Sequence, residues 1–233
     1  MDIFKTTDPL ADVINKNVDL IPVINRFGIK LGFQNKTIEE VCKAYEVNSD
    51  FFLTIINTYH NEGYFPQSSL KSFSPLSIVE YLKKTHKYYI DYVIPRTKLL
   101  LADLLQGCTG DCEELKLIRA FYRKYEEELL HHLDNEDANV FPYVETLINH
   151  PEKVSTDYSM SDFEKEHTNV DVKINDLKQL IIKYIHPTYD INQCNEFLNL
   201  IFRFEKDLKD HARIEDHVLV PMVMEIEKSI TNG

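Results

Sequence analysis

Cysteine is scarce in this 233-residue chain. The four present, Cys42, Cys108, Cys112 and Cys194, are too few and too scattered for a disulfide framework. Cys108 and Cys112 have a Cys-x3-Cys spacing, but no second pair or nearby histidine completes a zinc site, so they read as reduced thiols at a helix–helix turn. Positive charge is also short. Lys and Arg total 26 against 38 Asp and Glu, a net charge of -12, which argues against a nucleic-acid or anionic-membrane surface because either needs a basic stripe. No apolar run approaches the ~18 residues of a membrane span. The opening Met1–Thr7 has no apolar core of a signal peptide, so the expected location is the cytoplasm. Neither a Gly-rich phosphate loop nor a Ser-His-Asp arrangement is present, which sets aside phosphate binding and triad hydrolysis. With 6 Gly, 9 Pro and 43% hydrophobic residues, the composition is that of a packed core. The length suits one large domain, or one domain and a small module.

What is present is helical periodicity. Up to residue 64 the chain holds short amphipathic segments, at 10–15, 20–27, 38–45 and 50–59, with Gly28 and Gly32 separating the second from the third. Thr37 and Glu40 form a capping-box pattern, and Asn48-Ser49-Asp50 offers the next cap. Such short helices must pack together to persist. Residues 65–75, with Pro66, Ser69, Ser72 and Pro75, read as a linker. Beyond it, from 76 to the end at 233, lie four long helical segments: 76–105, 113–148, 162–184 and 191–230. In the first, residues 78, 79, 82, 89, 90 and 93 form an apolar stripe that includes His86, and Pro95 predicts a kink. Four long helices with short connections predict an all-α fold, an up-down-up-down four-helix bundle preceded by a small helical domain.

The sharpest feature is an internal repeat. His132-Leu-Asp-Asn-Glu136-Asp137-Ala-Asn-Val-Phe141-Pro142 returns as His211-Ala-Arg-Ile-Glu215-Asp216-His-Val-Leu-Val220-Pro221. Both read His-x3-Glu-Asp-x3-apolar-Pro. A bare His-x3-Glu is expected about once by composition, but the full pattern only about 0.01 times per chain. The repeat extends to partners, since His86 precedes His132 by 46 residues and His167 precedes His211 by 44. Each half is therefore a helical hairpin with one His on its first helix and His plus Glu on its second. Residues four apart share a helical face, and four core-facing imidazoles with two carboxylates are costly to bury without a ligand. Around two divalent or trivalent ions they become donors. The candidate ligands are His86, His132, Glu136, His167, His211 and Glu215. A mixed nitrogen and oxygen set with open positions suits two iron ions, with a solvent-derived oxo or hydroxo bridge; manganese or zinc fits the same donors. Glu128 and Asp207, four residues before a ligand His, and Glu166, beside His167, are candidates to orient the imidazoles or to line a polar path. The neighbouring His131 and His217 point away from the shared face. No residue is assigned a catalytic role.

These residues resemble the hemerythrin-type HHE cation-binding domain, over about residues 76 to 228. Their arrangement is similar to that of the Repair of Iron Centers, or ScdA-type, di-iron family. The resemblance implies four terminal His ligands and two bridging Glu. Arg26-Phe-Gly-Ile-Lys-Leu-Gly-Phe33 and Lys36-Thr-Ile-Glu-Glu-Val-Cys42 resemble the small domain that precedes the bundle in that family. One departure stands out: the family usually carries adjacent cysteines where this chain has Gly32-Phe33.

The resemblance implies a non-haem di-iron protein of nitrosative or oxidative stress, restoring iron centres by supplying iron or handling NO. Its partners would be O2, NO or peroxide and a damaged iron-sulfur protein, with a homo-oligomer compatible. Two other readings use the same site: an O2, NO or peroxide sensor, and a di-iron peroxide or NO reductase.

Overall fold

A computed structural model describes residues 3–107, 113–154, 159–161, 170–185 and 189–231. Among these residues the fold is all-α, with no strand, and no helix is long and apolar enough to cross a membrane. The backbone separates into two compact units, residues 1–85 with 210–233, and residues 86–209.

The first unit begins with α1 (Leu10–Lys16), α2 (Leu20–Arg26), α3 (Ile38–Ala44) and α4 (Ser49–His60). The expected cap of α3 forms: Thr37 accepts from the Glu40 amide at 3.2 Å, and the Glu40 carboxylate accepts from the Thr37 amide at 2.9 Å. Asn48 caps α4 through the Phe51 amide at 2.9 Å. Each cap satisfies an amide that a short helix leaves open. Gly32 has φ 105°, in the region that L side chains avoid, although the space beside it is open. A cysteine at that position would therefore be strained by its backbone. Residues 65–75 hold one more turn, α5 (Gln67–Leu70), before α6 (Pro75–Tyr88). Phe27, Phe51, Phe73 and Tyr81 meet ring to ring. The buried Arg26 guanidinium donates to the hydroxyls of Tyr59 at 3.3 Å and Tyr81 at 3.2 Å. The unit closes with α12 (Val220–Thr231).

The second unit is built from α7 (Ile94–Gln106), α8 (Glu113–Asn135), α9 (Phe141–Asn149), α10 (Val170–Tyr184) and most of α11 (Ile191–Ile214). Tyr89, Leu101, Leu104, Tyr125, Leu129, Ile174, Leu177, Phe197 and Ile201 form its continuous apolar core, one stripe from each of four helices as the periodicity requires. Within it Lys178 of α10 donates to the Glu205 carboxylate of α11, which also accepts from Lys209 at 2.9 Å. Burial alone would raise the Glu205 carboxyl, but these two ammonium donors hold it below its ordinary range.

The prolines act differently from a simple kink. Tyr89–Val93, Glu136–Val140 and Glu215–Leu219 are each a single π-helical turn. Each is followed by one residue and then Pro95, Pro142 or Pro221. A proline has no amide for the carbonyl four residues back and its ring presses on it. The wider turn makes room, and the preceding amide reaches five back instead: Ile94 to Tyr89, Phe141 to Glu136, Val220 to Glu215. The extra residue also shifts the register. Ile78, Val79, Leu82, His86, Tyr89 and Val93 are buried as expected, whereas Ile90, inside the π-turn, is exposed.

Candidate metal centre

Two of the three π-turns start at a repeat glutamate. Helix α8 carries His132 and delivers Glu136 one turn later, and α11 does the same with His211 and Glu215. Both carboxylates are buried, as is His211. In the second unit the two oxygens of Glu136 face two imidazoles: His132 Nε2 stands 3.2 Å from one, and His86 Nε2 stands 3.3 Å from the other. The Phe141 ring lies against His86, with centroids 5.2 Å apart. In the repeat's other copy His211 Nε2 is 3.1 Å from Glu215 Oε1. His86, Glu136, His211 and Glu215 are all buried, so each copy of the repeat encloses an imidazole–carboxylate pair of the kind that could hold a metal ion. Imidazole nitrogens facing buried carboxylate oxygens at 3.1–3.3 Å within each unit fit a cation, which offsets the cost of burying the charges.

The hemerythrin HHE cation-binding domain model matches residues 77–223. The chain belongs to that family. The HHE region thus covers every expected ligand and both copies of the repeat. Residues outside it have a counterpart too: over 187 residues, 79% of this chain and 83% of the other, the sequence is 19% identical to the iron-sulfur cluster repair protein ScdA of Staphylococcus haemolyticus (strain JCSC1435).

Of the residues singled out from the sequence, His86, His132 and Glu136 meet in the second unit, and His211 and Glu215 pair in the first. His167 and Glu166 lie outside the described residues, as do Cys108 and Cys112. Glu128, expected beside the His132 imidazole, is paired with Lys173 of α10 at 2.5 Å, and the hydrogen bond from Lys173 holds its carboxyl below the ordinary range. Asp207 is half-buried one turn before His211, and His131 and His217 are exposed as expected. Burial pushes the Cys42 thiol up to about 11 and raises that of Cys194, so both are unreactive apolar fillers.

One residue beside the candidate ligands was not singled out from the sequence. Asp137 Oδ1 sits 3.0 Å from His86 Nδ1, on the side of the ring opposite Glu136. A carboxylate there fixes the tautomer that leaves Nε2 as the donor to a metal, and raises its basicity. The other side of Asp137 lines an open groove with Ile90, Leu130, His131 and Asp134. The signal was in the repeat, where both glutamates are followed by Asp, but helical spacing alone places an adjacent residue off the ligand face.

Proposed function

We propose that the chain is a non-haem di-iron protein that restores iron centres under nitrosative or oxidative stress, by supplying iron or handling NO. The observation that carries this reading is the buried carboxylate facing imidazole in each copy of the repeat, Glu136 with His86 and His132 in one unit and Glu215 with His211 in the other. Membership of a cation-binding family and the likeness to an iron-sulfur cluster repair protein support it. His86, His132, His211, Glu136 and Glu215 would hold the metals, with His167 completing the set. When bound, a pair of iron ions supplies one-electron chemistry and open positions for O2, NO or peroxide. The chain's own part is to hold that pair dry and correctly oriented. Glu136 offers one oxygen to each of two imidazole-bearing positions, Asp137 fixes the His86 ring, and Phe141 shields it from water. Iron rather than manganese or zinc is proposed because redox and NO chemistry need it. The groove beside Asp137 is the route for small ligands and for iron exchange with a damaged iron-sulfur protein in the cytoplasm.

A sensor is the second reading. It is favoured by Gly32-Phe33, since a chain without the usual cysteine pair loses whatever thiol chemistry that pair performs. The test is metal content with absorption spectra before and after reductant and NO, followed by incubation of the iron-loaded protein with an NO-damaged [4Fe-4S] enzyme. About two irons per chain and recovery of enzyme activity with matching loss of iron support repair. Reversible NO binding with no transfer favours sensing. Iron-free protein after anaerobic reconstitution refutes both.

A further inference from the structure

The π-turn after Glu215 is held from outside. Pro221 leaves the carbonyl of His217, four residues back, without its helical donor, and Gln67 Nε2 donates to that carbonyl at 2.8 Å. Tyr64 and Phe65, just before Gln67, hold the same turn and Arg213, which leads into it. The Tyr64 carbonyl accepts from Arg213 Nη2 at 3.3 Å. The Phe65 ring lies 5.0 Å from the Arg213 guanidinium and 5.7 Å, edge to face, from the His217 ring. Arg213 is anchored in turn by Asp210, at 2.8 Å. Arg213 and His217 are four residues apart on one helical face, and Glu215, two residues from each, faces the opposite way. Residues 64–67 therefore hold the outer face of the turn whose inner face presents a metal ligand.

We propose that residues 64–67 form a clasp in which Phe65 and Gln67 are positioning residues for Glu215, so that the segment after the N-terminal helices sets metal affinity at the His211–Glu215 half of the site. The inference rests on the metal reading given above and adds to it a physical link from the N-terminal helices to one ligand. A π-turn is closed by one long-reaching amide and lacks the full α-helical ladder. Its conformation is easily shifted, and a one-residue change of register would swing Glu215 by about 100°.

The test compares the full chain with Gln67→Ala, Phe65→Ala, their double variant and Phe65→Tyr. Fe(II) and Zn(II) affinities are read by competition with a chromophoric chelator, and hydrogen exchange is followed at the amides of residues 216–220. The double variant is expected to bind metal about tenfold more weakly, the scale of losing an outer-shell partner. The Val220 amide, which closes the turn on the Glu215 carbonyl, exchanges faster, and Phe65→Tyr, which keeps the ring, behaves as wild type. Wild-type affinity in a folded double variant overturns the clasp, even if its melting temperature falls. If the double variant does not fold, Gln67→Ala, at an exposed position, decides by the same affinity. A wild-type chain that binds neither metal refutes the metal reading and, with it, this role for the clasp. Metal binding by the wild type with no change in the variants refutes the clasp alone.

Discussion

Replacing Glu136 by Gln separates a metal ligand from a structural core group. The carboxylate is buried, with an imidazole 3.2 Å from one oxygen and another 3.3 Å from the second. The amide has the same shape and still offers an oxygen and a donor to those rings. In metal-free protein the change in stability is therefore within about 1 kcal/mol, the net worth of a rearranged hydrogen bond. With metal the outcome differs. A ligand that binds only the folded state at about 1,000 times its Kd stabilises it by about 4 kcal/mol. At roughly 2–4 °C per kcal/mol for a domain of this size, wild type should melt about 8–16 °C higher when loaded. Glu136→Gln should lose most of that rise, because the neutral amide is a poor ligand. The assay is thermal unfolding by circular dichroism with chelator, with Fe(II) under anaerobic conditions, and with Zn(II). A variant that keeps the full metal-dependent rise, or that loses about 3 kcal/mol or more without metal, would refute the ligand assignment and leave Glu136 as a packing group.

Asp137→Ala should weaken metal binding about 10- to 100-fold with little change in the metal-free melting temperature, whereas Asp137→Glu should recover part of the loss; chelator competition reads both. Glu205→Gln leaves the Lys178 ammonium buried without its charge partner, at a cost of about 3 kcal/mol by denaturant unfolding at neutral pH. The Glu205 pKa is depressed in the folded state from an ordinary 4.5, so its contribution is present above about pH 4.5 and is lost as pH falls through the lower folded value. The gap between variant and wild type should close in that acid window, and a gap independent of pH would refute the pairing. Phe197→Ala, in the core of the second unit with its ring fully buried, should cost about 3–5 kcal/mol by the same measurement.

Features that depend on short-range geometry were legible in the chain alone. His132 with Glu136 and His211 with Glu215 are local pairs, because four residues of any α-helix bring side chains onto one face. The caps at Thr37 and Asn48 are local for the same reason, since a side chain three residues from an open amide needs no distant partner. The burial of His86 followed from its place on an apolar stripe. Tertiary structure decided the rest. Asp137 reaches His86 across 51 residues, and Gln67 reaches the His217 carbonyl across 150; no periodicity encodes such meetings. The prolines at 95, 142 and 221 were visible, but a missing amide permits a kink or a widened turn, and only the folded backbone shows which forms. The widened turns leave Ile90 out of the core and Asp137 beside His86, because one extra residue in a helix turns every side chain beyond it to a new face.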